Sequence, residues 1–496
     1  MNRRTVAAVG AAVLLLALSG TVAGLLVWER GAKEPEAKPS PPPATEATPT
    51  PPPTVAVEAT PPLPARCVMV EGPLPARLPG DRAASDVSQT YPFLSTTDDL
   101  AGNGYVEEEF LLAGEADAFG RDGTLLATGV PYRTRIIVRR PAAESRFDGT
   151  VLAEWQNVTA GYDLDALWDG KGFMRAGYAW VGVSAQRVGV DFLKDWSPAR
   201  YGTLDVTGGG RYTEDQLSYD IFAQAALVLR EPRARCPGSA DPLGGLRPAT
   251  VLGIGASQSA LRMVVYYDAV LPKARYRPFD GYAFVVGPAP SREGSEPIFH
   301  VLSETDVRAV PRRRDDSDTY RRWEVAGAAH AGYRGYAYRL PILQRDLPSG
   351  PASYQCERPP LSRVSLHLVL RAAYAHLVAW VREGTPPPHA PDILRDETGS
   401  VARNELGLAL GGIQLSQVAV PTALNTGANS GPGFCILLGT HIPFEPQRLA
   451  ELYPSRERYL ALVEQVDRNN VRLGYLLPED AADLLAEARE SGVGGD

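Results

Sequence analysis

A short stretch near the middle of the chain constrains the fold most strongly, because an apolar run passes through a tight turn directly into a helix-like run. The apolar run covers residues 250–254, the turn reads Gly-Ala-Ser-Gln-Ser over residues 255–259, and the helix-like run covers residues 260–265. A strand that meets a helix through so short a turn presents the central residue of the turn at the edge of a sheet. The sequence therefore predicts that Ser257 is exposed at the end of a buried strand, in the geometry of a nucleophile elbow.

The composition of the turn decides which of its two serines is the predicted nucleophile. The backbone of an elbow crowds the residues two before and two after the nucleophile, so both must be small. Gly255 and Ser259 meet this requirement around Ser257. With Ser259 as nucleophile, Leu261 would occupy a crowded position. The glycines could instead open a dinucleotide-binding loop, but Gln258 stands where that fingerprint requires its third glycine.

Around the elbow, short apolar runs alternate with helical stretches, which favours a mostly parallel sheet covered by helices on both faces. The candidate strands cover residues 135–138, 151–155, 179–183, 250–254, 281–286 and 298–302, and the clearest helices cover residues 218–230, 363–383 and about 479–489. Together with the elbow, this pattern predicts an α/β-hydrolase fold. The long segment after residue 330 is expected to add helices and part of a lid.

A serine hydroxyl needs a general base, and in this fold the order along the chain is serine, acid, histidine. The chain contains six histidines. His330 follows a β-like run and lies in a loop of small residues, where an imidazole can approach the elbow. The others lie in less suitable places: His300 inside a presumptive strand, His367 and His376 in the long helix, and His389 and His441 near prolines. We therefore predict His330 as the base.

The acid and the oxyanion donors are predicted from the ends of neighbouring strands. The strand at residues 298–302 runs into a turn with two carboxylates, Glu304 and Asp306. The register favours Asp306 as the acid, with Glu304 as the alternative. The oxyanion requires backbone N–H donors, and we expect one from Gln258, directly after the nucleophile. The loop after an earlier strand should supply the other, with Asn157 as the candidate unless this residue only stabilises the loop.

The N-terminal segment predicts export. Two arginines precede residues 5–28, which are uncharged and mostly apolar and long enough as a helix to cross a hydrocarbon core of roughly 30 Å. A signal anchor over residues 1–33 is favoured over a cleaved signal peptide, whose apolar core is shorter. Residues 34–66 are rich in proline and threonine, which predicts a disordered linker. The catalytic domain is expected over residues 67–496, held in the cell envelope outside the cytoplasm or secreted.

The cysteines and the net charge indicate which metal ions and macromolecules the protein is not expected to bind. Cys67, Cys236, Cys356 and Cys435 form no Cys-x-x-Cys pair and lie at no ligand spacing from a histidine, so a structural zinc site is not expected. In an oxidising compartment their even number indicates two disulfides, with three possible pairings. The net charge of −8, without any basic run, argues against a nucleic-acid partner.

A family resemblance rests on several motifs that occur in one order along the chain. They lie at residues 154–158, 177–186, 255–260, 304–306, 323–330, 380–387 and 452–455. These motifs resemble those of the bacterial alpha/beta hydrolase domain-containing protein family, over a span from about Tyr105 to near the C-terminus. The resemblance implies the hydrolase fold and a serine, acid and histidine triad, and it implies little about the substrate.

Together these observations predict a serine hydrolase that cleaves a small-molecule or lipid-like carboxylic ester through an acyl-enzyme on Ser257. The mechanism requires no metal and no organic cofactor. An acyltransferase on the same scaffold and a catalytically inactive surface binding protein are the alternatives, and the sequence leaves the oligomeric state open.

Overall fold

The computed structural model describes residues 67–312, 314–350 and 353–495. The predicted signal anchor and linker lie outside these residues. Within the described ranges, no helix combines the length and the apolar character needed to span a membrane. The strands are β1 (Met69–Glu71), β2 (Tyr105–Phe119), β3 (Leu125–Pro141), β4 (Thr150–Trp155), β5 (Ala179–Val183), β6 (Thr250–Ala256), β7 (Gly281–Val285), β8 (Ile298–Ser303), β9 (Tyr320–Val325), β10 (Ala423–Thr426) and β11 (Thr440–Pro443).

The α-helices surround these strands, and within the described residues there are also several short 3-10 turns and one π-turn. They are α1 (Gly170–Ala176), α2 (Arg187–Trp196), α3 (Pro198–Tyr201), α4 (Ser218–Arg230), α5 (Gln258–Val265), α6 (Tyr333–Asp346), α7 (Leu366–Glu383), α8 (Ser416–Ala419), α9 (Cys435–Leu438), α10 (Pro446–Leu452), α11 (Arg456–Arg472) and α12 (Pro478–Glu490).

One large sheet has the strand order β1-β2-β3-β5-β4-β6-β7-β8-β9, and β10 and β11 form a separate hairpin. From β5 to β9 in this order the strands run parallel, whereas β1, β2 and β3 join the sheet antiparallel. The carboxyl ends of parallel strands meet at the same edge of a sheet, where ligands bind in open α/β folds. The residues that follow β4, β6, β8 and β9 therefore lie along one edge.

Side chains of the central strands alternate between two apolar cores, because neighbouring residues of a strand point to opposite faces. In β4, Val151 and Ala153 belong to one core and Leu152 to the other. Helices α4 and α5 cover the first face, and α7 covers the second. A mostly parallel sheet with helices on both faces is the architecture of an α/β hydrolase, so the predicted fold class is confirmed.

The predicted elements agree with the structure except in the antiparallel part of the sheet. The helix predicted at residues 218–230 is α4, and the long helix predicted from residue 363 begins at Leu366. The prediction for residues 135–138 covers only a fragment of β3, which pairs along its length with β2. Charged residues interrupt the apolar pattern of this hairpin, and they are buried as ion pairs: Glu109 with Arg135 at 2.6 Å and Glu107 with Arg139 at 2.7 Å.

The chain after β9 builds additional helices, as predicted, while the lid stays a prediction. Helices α11 and α12 pack on each other around a small apolar cluster of their own. The buried Arg371 of α7 connects this part to the rest of the domain through Asp480 of α12 at 2.5 Å and Asp169 beside α1 at 2.5 Å.

The cysteines pair as Cys67–Cys236 and Cys356–Cys435, which selects one of the three possible pairings. The first disulfide lies beside β1, at one end of the strand order. The second joins the segment before α7 to the first residue of α9. Two disulfides are typical of a protein that works outside the cytoplasm.

Candidate active site

Ser257 occupies the turn between β6 and α5, in the strained backbone conformation that the sequence predicts. Its backbone has φ 58° and ψ −116°, and residues held in such sparsely populated conformations store roughly 1–3 kcal/mol of strain. Its N–H donates to the Val285 carbonyl oxygen at 2.9 Å, which pins the turn to β7. A Cβ at Gly255 would lie 2.5 Å from Met263 Sδ and 3.3 Å from the Ala260 nitrogen, so the position two before Ser257 favours a small residue.

Ser259 has a different role from Ser257. Its side chain is fully buried, and its hydroxyl donates to the Ala256 carbonyl oxygen at 2.9 Å and accepts from the Ala256 N–H at 3.0 Å. Ser259 therefore braces the turn from inside. Ser257, in contrast, is half-buried at the surface of the turn.

Asp306 and His330 lie side by side at the carboxyl edge of the sheet. Asp306 follows β8, His330 follows β9, and His330 Nδ1 is 2.6 Å from Asp306 Oδ1. The second carboxylate oxygen of Asp306 accepts from the Ser303 hydroxyl at 2.5 Å, so the carboxylate is held from both sides. A carboxylate at Nδ1 places the imidazole proton there and leaves Nε2 as the acceptor.

Glu304, the alternative acid, points elsewhere. It is buried, with its carboxylate accepting from the Gly327 N–H at 2.7 Å and from Arg403 at 2.7 Å. Among the described residues, no hydrogen bond joins Glu304 to His330. Glu304 therefore links the turn after β8 to the start of the loop that carries His330.

The backbone of the His330 loop is held by neighbouring polar groups. The His330 N–H donates to Thr305 Oγ1 at 3.2 Å, and the Thr305 hydroxyl donates to the Gly427 carbonyl oxygen at 2.6 Å. In the part of the chain that the structure describes, Ser257 Oγ and His330 Nε2 form no hydrogen bond. Catalytic hydrogen bonds are often long in the free enzyme and tighten when substrate binds.

The residues predicted to stabilise an oxyanion lie on either side of the elbow. Gln258 is the first residue of α5, so its N–H is among the unpaired donors at the positive end of the helix dipole. Asn157 uses its backbone N–H for the Leu164 carbonyl oxygen at 3.3 Å and its amide for the Ala256 carbonyl oxygen at 2.9 Å. The next N–H, that of Val158, faces the Gln258 side chain at 3.3 Å.

A pair of glutamines, one of which was not predicted, joins the elbow to the end of β5. Gln258 and Gln186 exchange hydrogen bonds through their amides, at 2.5 Å and 3.2 Å. Arg262 donates to the Gln186 amide oxygen at 3.3 Å and pairs with Asp215 at 2.8 Å. Gln186 ends one of the motifs behind the family resemblance, and that motif was the only sequence signal that could have singled it out.

Buried carboxylates hold the loop between β4 and α1, which includes Asn157. Glu154 accepts from the Leu167 N–H at 3.1 Å, and Asp165 pairs with Arg139 at 2.8 Å. Burial raises the pKa of Glu154 to about 8, with a further contribution from the charge of Asp165. Burial also raises the pKa of Asp163 to about 6. Two of the carboxylates that hold the loop, Glu154 and Asp163, are therefore costly to ionise where they lie.

His300 is a core residue, as predicted. Its Nδ1 lies 2.8 Å from the Tyr320 hydroxyl and its Nε2 lies 2.8 Å from the Gly287 carbonyl oxygen. The carbonyl can only accept, so Nε2 carries the proton and Nδ1 accepts from the tyrosine. Burial lowers the pKa of His300 to about 3, which keeps the ring neutral. Among the described residues, no group of three His, Cys, Asp or Glu side chains could hold a metal ion.

The fold is that of an α/β hydrolase. Over residues 70–486 the chain matches the family described as alpha/beta hydrolase domain. The chain belongs to this family, as the resemblance of its motifs implied.

Solved structures that resemble the chain include esterases and prolyl peptidases, all at low identity. Esterase Est22 is 11% identical, with 42% of this chain and 67% of that chain covered and a TM-score of 0.25. Prolyl oligopeptidase B from Galerina marginata is 14% identical, with 42% and 30% covered and a TM-score of 0.26. A prolyl endopeptidase is 12% identical, with 45% of this chain and 35% of that chain covered and a TM-score of 0.25. No curated protein matches the chain.

Proposed function

We propose that the protein is a serine hydrolase that cleaves carboxylic esters through an acyl-enzyme on Ser257. The observation that carries the proposal is the Asp306–His330 pair at 2.6 Å, on the same sheet edge as the strained elbow. A strained, half-exposed serine on the same sheet edge as a carboxylate-oriented imidazole fits the arrangement that activates a hydroxyl for acyl transfer.

In each half of the proposed reaction, His330 acts first as general base and then as general acid. His330 Nε2 takes the proton of Ser257 as its Oγ bonds to the ester carbonyl carbon, and Asp306 stabilises the resulting imidazolium. His330 then protonates the leaving alkoxide as the carbon–oxygen bond breaks. Water repeats these steps on the acyl-enzyme, releasing the carboxylic acid and restoring the Ser257 hydroxyl.

The oxyanion of each tetrahedral intermediate is proposed to accept from the Gln258 N–H and the Val158 N–H. Val158 replaces Asn157 as the second donor in this proposal, because Asn157 already uses its own N–H for Leu164. Asn157 instead ties the donor loop to the elbow through Ala256. Val158 offers its N–H only when a substrate oxygen displaces the weak contact with the Gln258 side chain at 3.3 Å.

The surroundings of the site favour an ester with apolar groups. Val188 and Leu261 are 37% and 40% exposed near the two glutamines of the elbow. Tyr333 and Ile436 are 44% and 40% exposed on the His330 side. All four residues lie in helices or turns at the carboxyl edge of the sheet, and exposed large apolar side chains around a site favour an apolar ligand, so we propose a lipid-like or otherwise apolar ester as substrate.

The two disulfides support a location outside the cytoplasm. The sequence of residues 1–33 further supports a membrane anchor, which we propose tethers the hydrolase to the cell envelope through the linker at residues 34–66. Protease protection in intact cells, and extraction of the protein with detergent but not with salt, would test this location.

The first experiment measures hydrolysis of short and long p-nitrophenyl esters by the wild type, Ser257→Ala and Ser259→Ala. We expect Ser257→Ala to abolish both turnover and labelling by a fluorophosphonate. Ser259→Ala should keep the label at a reduced rate, because only a brace of the turn is lost. Labelling of folded Ser257→Ala at the wild-type rate would refute the assignment of the nucleophile.

The same assay separates the alternatives. An acyltransferase would form a new ester when an acceptor alcohol is added, at the expense of the free acid. A folded wild-type protein that neither hydrolyses the esters nor takes the label would be a binding protein with a hydrolase fold.

A further inference from the structure

We propose that the disulfide Cys356–Cys435 positions His330 for catalysis, and that Ser362 connects the disulfide-linked segments to the loop that carries His330. Residues 327–331 are called the base loop below. The inference rests on the proposed function, since it requires His330 to be the base. It assigns a role in turnover to a disulfide that lies outside the predicted triad.

Hydrogen bonds from two separate segments hold both ends of the base loop. At its start, the Ser362 hydroxyl donates to the Gly327 carbonyl oxygen at 2.6 Å. At its end, the Ala331 N–H donates to the Leu437 carbonyl oxygen at 2.9 Å. The backbone position of His330 therefore depends on where Ser362 and α9 lie.

The segment that carries Ser362 and helix α9 are also hydrogen-bonded to each other next to the base loop. The Ser362 N–H donates to the Leu438 carbonyl oxygen at 3.0 Å, so Ser362 contacts both α9 and the base loop. A Cβ at Gly439, the residue after α9, would lie 2.9 Å from the Ala329 Cβ and 3.1 Å from the Ser362 Cβ. Gly439 at the end of α9, Ser362 and Ala329 are therefore tightly packed against one another.

The disulfide adds a covalent tie between the segments, beside the hydrogen bonds from Ser362 to Leu438 and from His441 to Pro359, and burial contributes little on one side. From residue 353 to residue 361, no residue is buried. Cys435, in contrast, is fully buried at the start of α9. A segment without buried apolar side chains opens locally at low cost, and a covalent link to the buried Cys435 prevents it from leaving the base loop.

The other disulfide provides a matched control. Cys67–Cys236 lies beside β1, whereas the base loop follows β9, at the opposite end of the sheet. Its sequence separation is 169 residues, against 79 for Cys356–Cys435. Because the stabilisation from a cross-link grows with loop length, loss of the control disulfide should destabilise the fold at least as much, without moving His330.

The experiment compares two double variants of the full chain, Cys356→Ala/Cys435→Ala and Cys67→Ala/Cys236→Ala, with p-nitrophenyl acetate as substrate. A misplacement of about 1 Å in a catalytic group costs up to roughly 100-fold in rate. We expect the first variant to lose about 10- to 100-fold in kcat with little change in KM. The control variant should unfold at a lower temperature and keep the wild-type kcat. Equal kcat values for the two folded variants would overturn the proposal.

A second variant decides the question if the first double variant does not fold. Ser362→Ala removes only the hydroxyl that holds Gly327, and we expect kcat to fall with KM unchanged. A wild-type kcat in folded Ser362→Ala would overturn the proposal. Failure of the proposed function has a different signature, because the wild type itself would then be inert, or Ser257→Ala would hydrolyse the substrate as fast as an active wild type does.

Discussion

Replacement of Asp306 by asparagine is the sharpest test of how the proposed site works. The two oxygens of Asp306 have different neighbours: Oδ2 accepts from the Ser303 hydroxyl at 2.5 Å and from its N–H at 3.3 Å, and Oδ1 faces His330. In Asp306→Asn, the amide oxygen is the only acceptor and stays with the Ser303 donors. The amide NH₂ then faces His330 Nδ1 and donates to it.

This reversal forces the wrong tautomer on the base. With Nδ1 accepting, the imidazole proton moves to Nε2, which can no longer take the proton of Ser257. A carboxylate-to-amide change of this kind in a serine triad costs about 10⁴ in kcat, which corresponds to roughly 5.5 kcal/mol in the barrier. The side chain keeps its size and its bonds to Ser303, so we expect stability to change little.

The assay compares kcat for a p-nitrophenyl ester in Asp306→Asn and in Glu304→Gln, with urea unfolding of both. Glu304→Gln removes the negative charge that pairs with Arg403 at 2.7 Å, so we expect it to lower the free energy of unfolding and to reduce kcat by less than about 10-fold. The reasoning would be refuted if Asp306→Asn kept more than about a tenth of the wild-type kcat. It would also be refuted if Glu304→Gln lost more activity than Asp306→Asn.

Three further predictions concern stability and the elbow. Because burial raises the pKa of Glu154 to about 8 from 4.5, the folded state binds the extra proton, and the free energy of unfolding falls as pH rises between these values. This fall amounts to up to roughly 5 kcal/mol, and Glu154→Gln should remove it. Urea unfolding of both proteins at about pH 5 and about pH 8 would measure the difference, and an unchanged pH dependence in Glu154→Gln would contradict the prediction. Loss of Cys67–Cys236 should lower the free energy of unfolding by about 5 kcal/mol on the chain-entropy estimate, and a thermal midpoint equal to that of the wild type would exclude it. A Cβ at Gly287 would lie 2.9 Å from the Ser257 carbonyl oxygen, so Gly287→Ala should displace the elbow, lower kcat and cost about 1–3 kcal/mol in stability, as kinetics and unfolding would show.

Local sequence patterns predicted the elements whose structure depends on a few consecutive residues. The apolar run, the small residues around Ser257 and the helix-like run lie within one stretch, and β6, the turn and α5 follow from them. Helix α4 was predicted to its bounds because apolar residues recur through this stretch at helical spacing, and nearly all of its residues are buried. The β2–β3 hairpin was predicted only as a fragment at residues 135–138, because charged residues such as Glu109, which pairs with Arg135 in the interior, interrupt its apolar pattern.

In the candidate site, too, some features follow from local sequence and others depend on the tertiary structure. The sequence by itself indicated Ser257, His330 and a carboxylate after β8, because each depends on a strand end and on order along the chain. Only the tertiary structure decided which carboxylate faces the imidazole. Glu304 and Asp306 leave the same strand two residues apart, and their partners His330 and Arg403 are brought to them by folding.

The disulfide pairing and the conformation of the loop around Asn157 were likewise decided only by the tertiary structure. Any of three pairings suits four cysteines, and the approach of α9 to the segment before α7 selects Cys356–Cys435. The engagement of the Asn157 N–H with Leu164 depends on how the loop closes after β4. A local pattern determines a turn or a helix because the interacting groups are neighbours in the chain, whereas contacts between distant segments exist only once the sheet has brought them to a common edge.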